Sequence, residues 1–111
     1  MKKVKIGFIG IGLMGYPMAK NLLKSKYQVK VFNRTKNKAL KLKKFGAEVC
    51  NSLKEVVSDR DLIITMLSDD KAIKKIYFNS DFLKNLKAGS TVIDMSSANP
   101  LTAINLSLIH I

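Results

Sequence analysis

Cysteine and histidine are almost absent from this sequence. Cys50 and His110 are the only residues of their kinds among the 111. A single cysteine excludes an internal disulfide and any metal site built from several cysteines. Cys50 ends a short apolar segment, so we expect it to be a buried, small hydrophobic side chain. His110 has no other metal-ligating residue beside it in the sequence, so we predict no metal site.

The sequence also lacks a long, uninterrupted apolar stretch. The uncharged run from Ile6 to Ala19 follows several lysines and superficially resembles a secretory signal. Four glycines and Pro17 interrupt it, and it is shorter than the roughly 20 apolar residues of a membrane-spanning helix. No pattern of small residues marks a cleavage site after it. We therefore expect a soluble, cytoplasmic protein with no membrane segment.

Acidic residues are scarce, since 8 Asp and Glu stand against 20 Lys and Arg, for a net charge of +12. A charge of this size is typical of nucleic-acid-binding proteins. However, Arg34 and Arg60 are the only arginines, and a guanidinium is the group best suited to bidentate recognition. Lysines surround Ala39, Leu42 and Phe45, which recur at helical spacing. We therefore favour a solvated lysine surface over a nucleic-acid interface.

Short apolar runs alternate with amphipathic runs along the chain. The predicted strands cover residues 3–10, 28–33, 47–50, 61–67 and 90–95. The predicted helices cover residues 13–24, 36–45, 70–78 and 81–86, with a further helix begun by Pro100. Ser52 and Glu55 form a capping box for another helix, and Gly46 is expected to end the helix at 36–45. This alternation predicts an α/β fold with a doubly wound, Rossmann-like parallel sheet in a single domain.

Three glycines with the spacing G-x-G-x-x-G lie between the first predicted strand and the first predicted helix. Gly10 would permit a tight turn, Gly12 would let a pyrophosphate approach the backbone, and Gly15 would let the helix pack closely. The helix N-terminus adds unpaired N–H groups and a partial positive charge. We therefore predict a dinucleotide site in this loop. Its predicted cofactor-binding residues are Gly10, Ile11, Gly12, Leu13, Met14 and Gly15.

The end of the second predicted strand distinguishes between dinucleotides. NAD sites usually have Asp or Glu here, because a carboxylate accepts from the ribose 2′-hydroxyl. This sequence has Asn33, Arg34 and Thr35 instead, and all three side chains can donate to a 2′-phosphate. Alternatively, Asn33 and Thr35 cap the following helix and Arg34 is solvated. The two interpretations are compatible, and we predict NADP as the cofactor in preference to NAD.

Four segments resemble the β-hydroxyacid dehydrogenases, a family that includes 3-hydroxyisobutyrate dehydrogenase and glyoxylate/succinic semialdehyde reductase. The segments are GFIGIGLMGYPMAKNLLK (7–24), VFNRT (31–35), DLIITMLSD (61–69) and VIDMSSANP (92–100). They occur in the family's order and spacing over nearly the whole chain. The resemblance implies hydride transfer between NADP(H) and a small β-hydroxy acid or aldehyde.

The resemblance also implies further site residues. Met66, Leu67, Ser68 and Ala72 would contact the nicotinamide side of the cofactor. Ser97 occupies the position of a threonine that touches the nicotinamide ribose. Ser96, with Ser97 beside it, would hold the substrate carboxylate. Alternatively, the two serines only cap the helix begun by Pro100.

One departure from the family pattern bears on mechanism. The family's catalytic lysine lies in a G-x-x-G-x-G-x-x-x-K-x-x-x-N motif, which is absent from this sequence, as is the family's helical second domain. We therefore expect residues 1–111 to form a truncated NADP-binding domain that contains no catalytic residue and is inactive alone. The sequence leaves open whether the protein forms a homo-oligomer. A non-catalytic nucleotide-binding or interaction module is the alternative function.

Overall fold

The computed structural model describes residues 4–11, 15–67 and 70–95. Its strands are β1 (Lys5–Ile9), β2 (Gln28–Phe32), β3 (Glu48–Val49), β4 (Leu62–Thr65) and β5 (Thr91–Asp94). Its helices are α1 (Gly15–Lys24), α2 (Lys36–Leu40), α3 (Leu53–Val57), α4 (Asp70–Tyr77) and α5 (Ser80–Lys84). Every predicted strand is present, with ends shifted by a few residues. The helix predicted to begin at Pro100 lies outside the described residues.

The strands form one parallel sheet in the order β3-β2-β1-β4-β5. Strand β1 is central, and it pairs with β2 through Ile9↔Phe32 and with β4 through Ile9↔Thr65. The chain therefore moves outward from β1 in one direction through β2 and β3, and then returns to the other side of β1. Ligands in such sheets bind at this reversal, beyond the carboxyl ends of the strands. The predicted α/β fold class is confirmed.

Two apolar clusters cover the two faces of the sheet. Alternate residues of β1 enter different clusters, because neighbouring side chains of a strand point to opposite faces. Phe8 lies in the first cluster with Val31, and Ile9 lies in the second with Val56. Cys50 is only 3% exposed in the second cluster. This confirms the prediction that Cys50 is a buried hydrophobic residue.

The helix predicted over residues 36–45 is interrupted, which corrects the sequence interpretation. Helix α2 ends at Leu40, and a separate 3₁₀ turn covers Lys43–Phe45. Leu42 N–H donates to Ala39 O and Phe45 N–H to Leu42 O, both at 3.0 Å. Because a 3₁₀-helix has three residues per turn, it places Ala39, Leu42 and Phe45 on the same side of the helix axis, whereas an α-helix would distribute them around that axis. Gly46 ends the turn with φ 102°, so its predicted role as a C-terminal cap is confirmed.

Helix α3 has the predicted cap with a different reciprocal bond. Ser52 Oγ accepts from Glu55 N–H at 3.2 Å, as a capping box requires. Glu55 Oε2 accepts from Asn51 N–H at 3.3 Å rather than from the N–H of Ser52. Across the part of the chain that the structure describes, no helix has the length and apolar character needed to cross a membrane.

Candidate functional site

An open cavity of about 280 Å³ lies at the carboxyl ends of β1, β2 and β4, where the chain reverses direction. Most of the described residues that the sequence predicts for the site meet there. Those that line the cavity are Gly10, Ile11, Asn33, Arg34, Thr35, Met66, Leu67 and Ala72. Gly12, Leu13, Met14, Ser68, Ser96 and Ser97 lie outside the described residues. The strand ends therefore bring together segments that are distant in the sequence.

Backbone crowding explains two glycines of the motif. Gly10 has φ +96°, and a Cβ added there would lie 2.2 Å from Met66 O at the end of β4. A Cβ on Gly15 would lie 2.5 Å from Gly10 O. Any side chain at either position would therefore push the loop or helix α1 away from the sheet. These contacts agree with the tight turn and the close helix packing that the motif predicts.

Asn33 ties the end of β2 to the glycine loop. Its Oδ1 accepts from Ile11 N–H at 2.8 Å, and its Nδ2 donates to Thr35 O at 2.7 Å. Because one partner only donates and the other only accepts, the orientation of the amide is fixed by its surroundings. A backbone bond of 2.9 Å from Gly10 N–H to Phe32 O reinforces the same junction. One amide N–H of Asn33 is left over for a ligand.

The capping alternative for Asn33 and Thr35 is only partly right. Thr35 occupies the N-cap position of α2, but its side chain makes no capping hydrogen bond. The side chain of Asn33 holds the glycine loop instead of capping α2. Arg34 is exposed and lines the cavity, as both alternatives allow. The dominant role of Asn33 is therefore to position the loop, a role that the sequence motifs do not reveal.

Positive charge is concentrated around the cavity. Arg34, Lys38 and Lys75 line it, and no Asp or Glu of the described residues does so. Arg60 is buried and its guanidinium donates to the carbonyl oxygens of Ser58 and Gln28, so Arg34 is the exposed arginine. Three cations around one cavity favour anionic ligands.

At the opposite, amino edge of the sheet, carboxylates pair with lysines. Lys5 Nζ pairs with Asp59 at 2.9 Å, and Lys87 Nζ pairs with Asp61 at 2.8 Å. The hydrogen bond and charge of Lys5 lower the pKa of Asp59. The acidic groups at this edge are therefore neutralised locally, whereas Arg34, Lys38 and Lys75 form no ion pair with the residues that the structure describes.

A second cavity of about 420 Å³ adjoins the first. Phe32, Asn33, Arg34, Lys75 and Ile76 line both cavities. The second one extends to Cys50, whose thiol pKa burial raises to about 11. At neutral pH that thiol is protonated, so Cys50 contributes a wall rather than a nucleophile.

Hydrogen bonds between three polar side chains connect β4, β5 and α4. Thr65 Oγ1 donates to Asp94 Oδ1 at 3.0 Å, and the Tyr77 hydroxyl lies 2.6 Å from the same Thr65 oxygen. The three residues belong to β4, β5 and α4, so they connect three elements. Burial raises the pKa of Tyr77 above its usual range. The phenol is therefore neutral and can donate to Thr65.

Two residues of α4 that line the cavity have no motif to identify them. Lys75 and Ile76 follow the predicted Ala72 by three and four positions. Such spacing puts all three on one face of a helix. Helical periodicity counted from Ala72 is the sequence signal that could have found them.

Comparison with known proteins bears on what this site binds. A family model described as the NAD binding domain of 6-phosphogluconate dehydrogenase matches residues 5–108. The chain is 37% identical to glyoxylate/succinic semialdehyde reductase 1 of Arabidopsis thaliana, covering 94% of this chain and 36% of that protein. It is also 37% identical to the mitochondrial 3-hydroxyisobutyrate dehydrogenase of Mus musculus, covering 95% of this chain and 32% of that protein.

Two further comparisons extend the range of relatives. The cytokine-like nuclear factor N-PAC of Xenopus tropicalis is 38% identical, over 93% of this chain and 20% of that protein. The structure of Mycobacterium tuberculosis 3-hydroxyisobutyrate dehydrogenase with L-serine superposes with a TM-score of 0.90 at 28% identity. That superposition covers 98% of this chain and 37% of the mycobacterial one. The chain thus spans about a third of the dehydrogenases and reductases it matches, and it belongs to the NAD-binding domain family of 6-phosphogluconate and 3-hydroxyisobutyrate dehydrogenases.

Proposed function

We propose that this chain is the NADP-binding portion of an oxidoreductase that transfers hydride between NADP(H) and a small β-hydroxy acid or aldehyde. Its substrate would be of the glyoxylate/succinic semialdehyde or 3-hydroxyisobutyrate type, as the names of two relatives suggest. The observation that carries the choice of NADP is the cation-lined cavity at the end of β2, which no Asp or Glu of the described residues lines. NAD sites usually have a carboxylate there, which would repel a 2′-phosphate.

The residues of the cavity fit the parts of the cofactor. Gly10 and Gly15 allow the tight turn and the close approach of α1 that shape the loop, and in our proposal Gly12 of the same motif lets the pyrophosphate approach the backbone. Arg34, Thr35 and Lys38 supply donors for the 2′-phosphate. In our proposal Met66, Leu67 and Ala72 face the nicotinamide, together with Ser68. Ser97 binds the nicotinamide ribose, and Ser96 with Ser97 holds the substrate carboxylate.

The chemistry divides between the cofactor and the protein. Bound NADPH supplies the hydride, whereas the described residues bind and orient the cofactor. No described residue of this cavity is assigned as an acid or base: we assign the cations Arg34 and Lys38 to phosphate binding, and the thiol of Cys50 in the adjoining wall is protonated at neutral pH. We propose that residues 1–111 form the nucleotide-binding domain and that proton transfer belongs to a lysine outside them.

We also propose a cellular location and an assembly state for the protein. We place it in the cytoplasm, although the mouse relative is named as mitochondrial. Phe78, Ile93 and Met95 are large apolar side chains that are 58%, 43% and 46% exposed. Exposed apolar surface of this kind suits contact with a further domain or with a second copy in a homo-oligomer.

A non-catalytic nucleotide-binding or interaction module is the second candidate. The similarity to N-PAC, whose name describes a nuclear factor rather than an enzyme, favours it. Both candidates use the same nucleotide site, and they differ in turnover. Reduction of glyoxylate or succinic semialdehyde by the longest natural protein that contains these residues would support the oxidoreductase, and its absence would support the module.

Arg34→Ala tests the cofactor assignment. A hydrogen bond to a charged group contributes roughly 1.5–3 kcal/mol, so the loss should weaken NADPH binding about ten- to a hundredfold. NADH has no 2′-phosphate and should be almost unaffected. Titration calorimetry at fixed salt gives both dissociation constants. Lys41→Ala is the control, because Lys41 is exposed on the same segment and lines neither cavity.

Two results would contradict the assignment. Equal weakening of NADPH and NADH by Arg34→Ala would mean that the arginine is structural. No binding of NADPH at millimolar concentration to a chain that is folded by circular dichroism would exclude the proposed cofactor site altogether.

A further inference from the structure

Helix α4 presents a lysine to the cavity from an element other than the one that carries Arg34. Ile73 and Tyr77 of this helix are buried at 0% and 3% exposure and fix its position on the sheet. Ala72, Lys75 and Ile76 share the face of the helix that lines the cavity. The location of Lys75 is therefore determined by core packing, although its own side chain is exposed.

Lys75 lies where the two cavities join. The residues shared by both come from only two places, the end of β2 (Phe32, Asn33 and Arg34) and helix α4 (Lys75 and Ile76). The two cavities are therefore parts of one groove, and the cations Arg34 and Lys75 both stand at its junction. A ligand that occupies the groove beside Arg34 also lies within the positive field of Lys75.

Among the residues that the structure describes, no acidic side chain lines the junction beside these cations. Neither cavity is lined by Asp or Glu among the described residues, and within the same residues Lys75 forms no ion pair. The nearby Lys36 differs, because its Nζ donates to Asn51 Oδ1. Two like charges at one open junction repel each other until an anion comes between them.

We propose that Lys75 binds the 2′-phosphate of NADP together with Arg34 and so contributes to the preference for NADP over NAD. This inference rests on the proposed function and adds a specificity-determining residue to it. The lysine acts as a mobile point charge, whereas the planar guanidinium of Arg34 can bind two phosphate oxygens at once. Its contribution therefore depends on charge and should survive replacement by arginine.

Lys75→Gln tests the proposal, with Lys74→Gln as the matched control. Both lysines are exposed on α4, and both substitutions remove one positive charge, but Lys74 lines neither cavity. We expect Lys75→Gln to raise the dissociation constant of NADPH roughly three- to tenfold, between the effect of an exposed ion pair and that of a charge-assisted hydrogen bond. The dissociation constant of NADH should change by less than about twofold, as should both constants in Lys74→Gln. Lys75→Arg should retain the affinity of the wild type for NADPH.

Titration calorimetry of these variants distinguishes a failure of this inference from a failure of the proposed function. Identical behaviour of Lys75→Gln and Lys74→Gln, in a wild-type background that prefers NADPH, would overturn this inference and leave the proposed function intact. Equal weakening of NADPH and NADH by Lys75→Gln would also overturn it, because a phosphate-specific contact cannot affect NADH. A folded wild-type chain that binds neither dinucleotide, or that prefers NADH, would overturn both the inference and the proposed NADP site.

Discussion

Asn33→Asp is the most informative single substitution, because it changes one atom of the link between β2 and the glycine loop. The carboxylate keeps an oxygen that can accept from Ile11 N–H, where the amide oxygen now lies at 2.8 Å. It replaces Nδ2, which donates to Thr35 O at 2.7 Å, by a second acceptor. In the variant, a carboxylate oxygen of residue 33 would therefore face the carbonyl oxygen of Thr35 and repel it, beside a half-buried side chain.

The expected cost follows from these two contacts. Losing a net hydrogen bond costs about 0.5–1.5 kcal/mol, and the contact with Thr35 is exposed, so water can hydrogen-bond the carbonyl oxygen that is left. The charged oxygen strengthens the bond from Ile11 N–H, since charge-assisted bonds are about twice as strong as neutral ones. We expect Asn33→Asp to lower the free energy of unfolding at pH 7 by roughly 0.5–1 kcal/mol after this partial offset.

Asn37→Asp is the matched control for the change in charge. Asn37 is exposed in the first turn of α2, which contains no acidic residue. A carboxylate near a helix N-terminus contributes about 0.3–1 kcal/mol, so the control should be neutral or slightly stabilising. Urea denaturation of the wild type and both variants gives the three free energies. Equal stability of the two variants would refute the positioning role of Asn33.

Binding provides a second readout for the same pair of variants. A displaced glycine loop should weaken NADH and NADPH together, because both carry the pyrophosphate. Repulsion of the 2′-phosphate by the new carboxylate should weaken NADPH further. A change in the ratio of the two dissociation constants with no loss of stability would mean that Asn33 only contacts the ligand. That result would also refute the positioning role.

Three other predictions follow from the site and its surroundings. Gly10→Ala should lower the free energy of unfolding by several kcal/mol more than Gly89→Ala. Both glycines have positive φ, but of the two only Gly10 has backbone, 2.2 Å away, where the new Cβ would lie. Similar urea midpoints for the two variants would refute this steric argument. Cys50 should react with iodoacetamide at pH 8 far more slowly in the native chain than in urea, because its pKa is raised to about 11, and equal rates would show that the thiol is not buried. The isolated chain should show no reduction of glyoxylate or succinic semialdehyde, because a positioned general acid contributes about 10²–10⁴-fold, and turnover in a preparation free of host reductases would contradict this.

Much of the fold could be predicted because its signals are local. Each strand is a short apolar run, and the spacing of Gly10 and Gly15 reflects contacts with the neighbouring strand and helix that every such turn requires. The interruption of the helix at 36–45 was harder to predict, because Ala39, Leu42 and Phe45 suit either an α-helix or a 3₁₀ turn. Packing against the sheet decides between them, and packing is a tertiary property.

The site was predictable only where a motif names the residue. Asn33 contacts Ile11 because β1 and β2 pair in a particular register, which the sequence of either strand alone does not specify. Lys75 belongs to the groove because α4 lies beside the end of β2, and no motif marks it; only helical periodicity counted from Ala72 separates it from Lys74. The sequence motifs do not specify which residues from distant parts of the chain meet in the folded protein.

The separation of charge between the two edges of the sheet has a kinetic consequence. Asp59 and Asp61 are paired at one edge, whereas Arg34, Lys38 and Lys75 face solvent at the other. A multiply charged anion that diffuses nearby is therefore drawn toward the cavity before any contact forms. The screening length shrinks from about 30 Å at 0.01 M salt to about 8 Å at 0.15 M. Capture of such an anion should thus slow steeply as salt is added, while its escape, which depends on short-range contacts, should change much less.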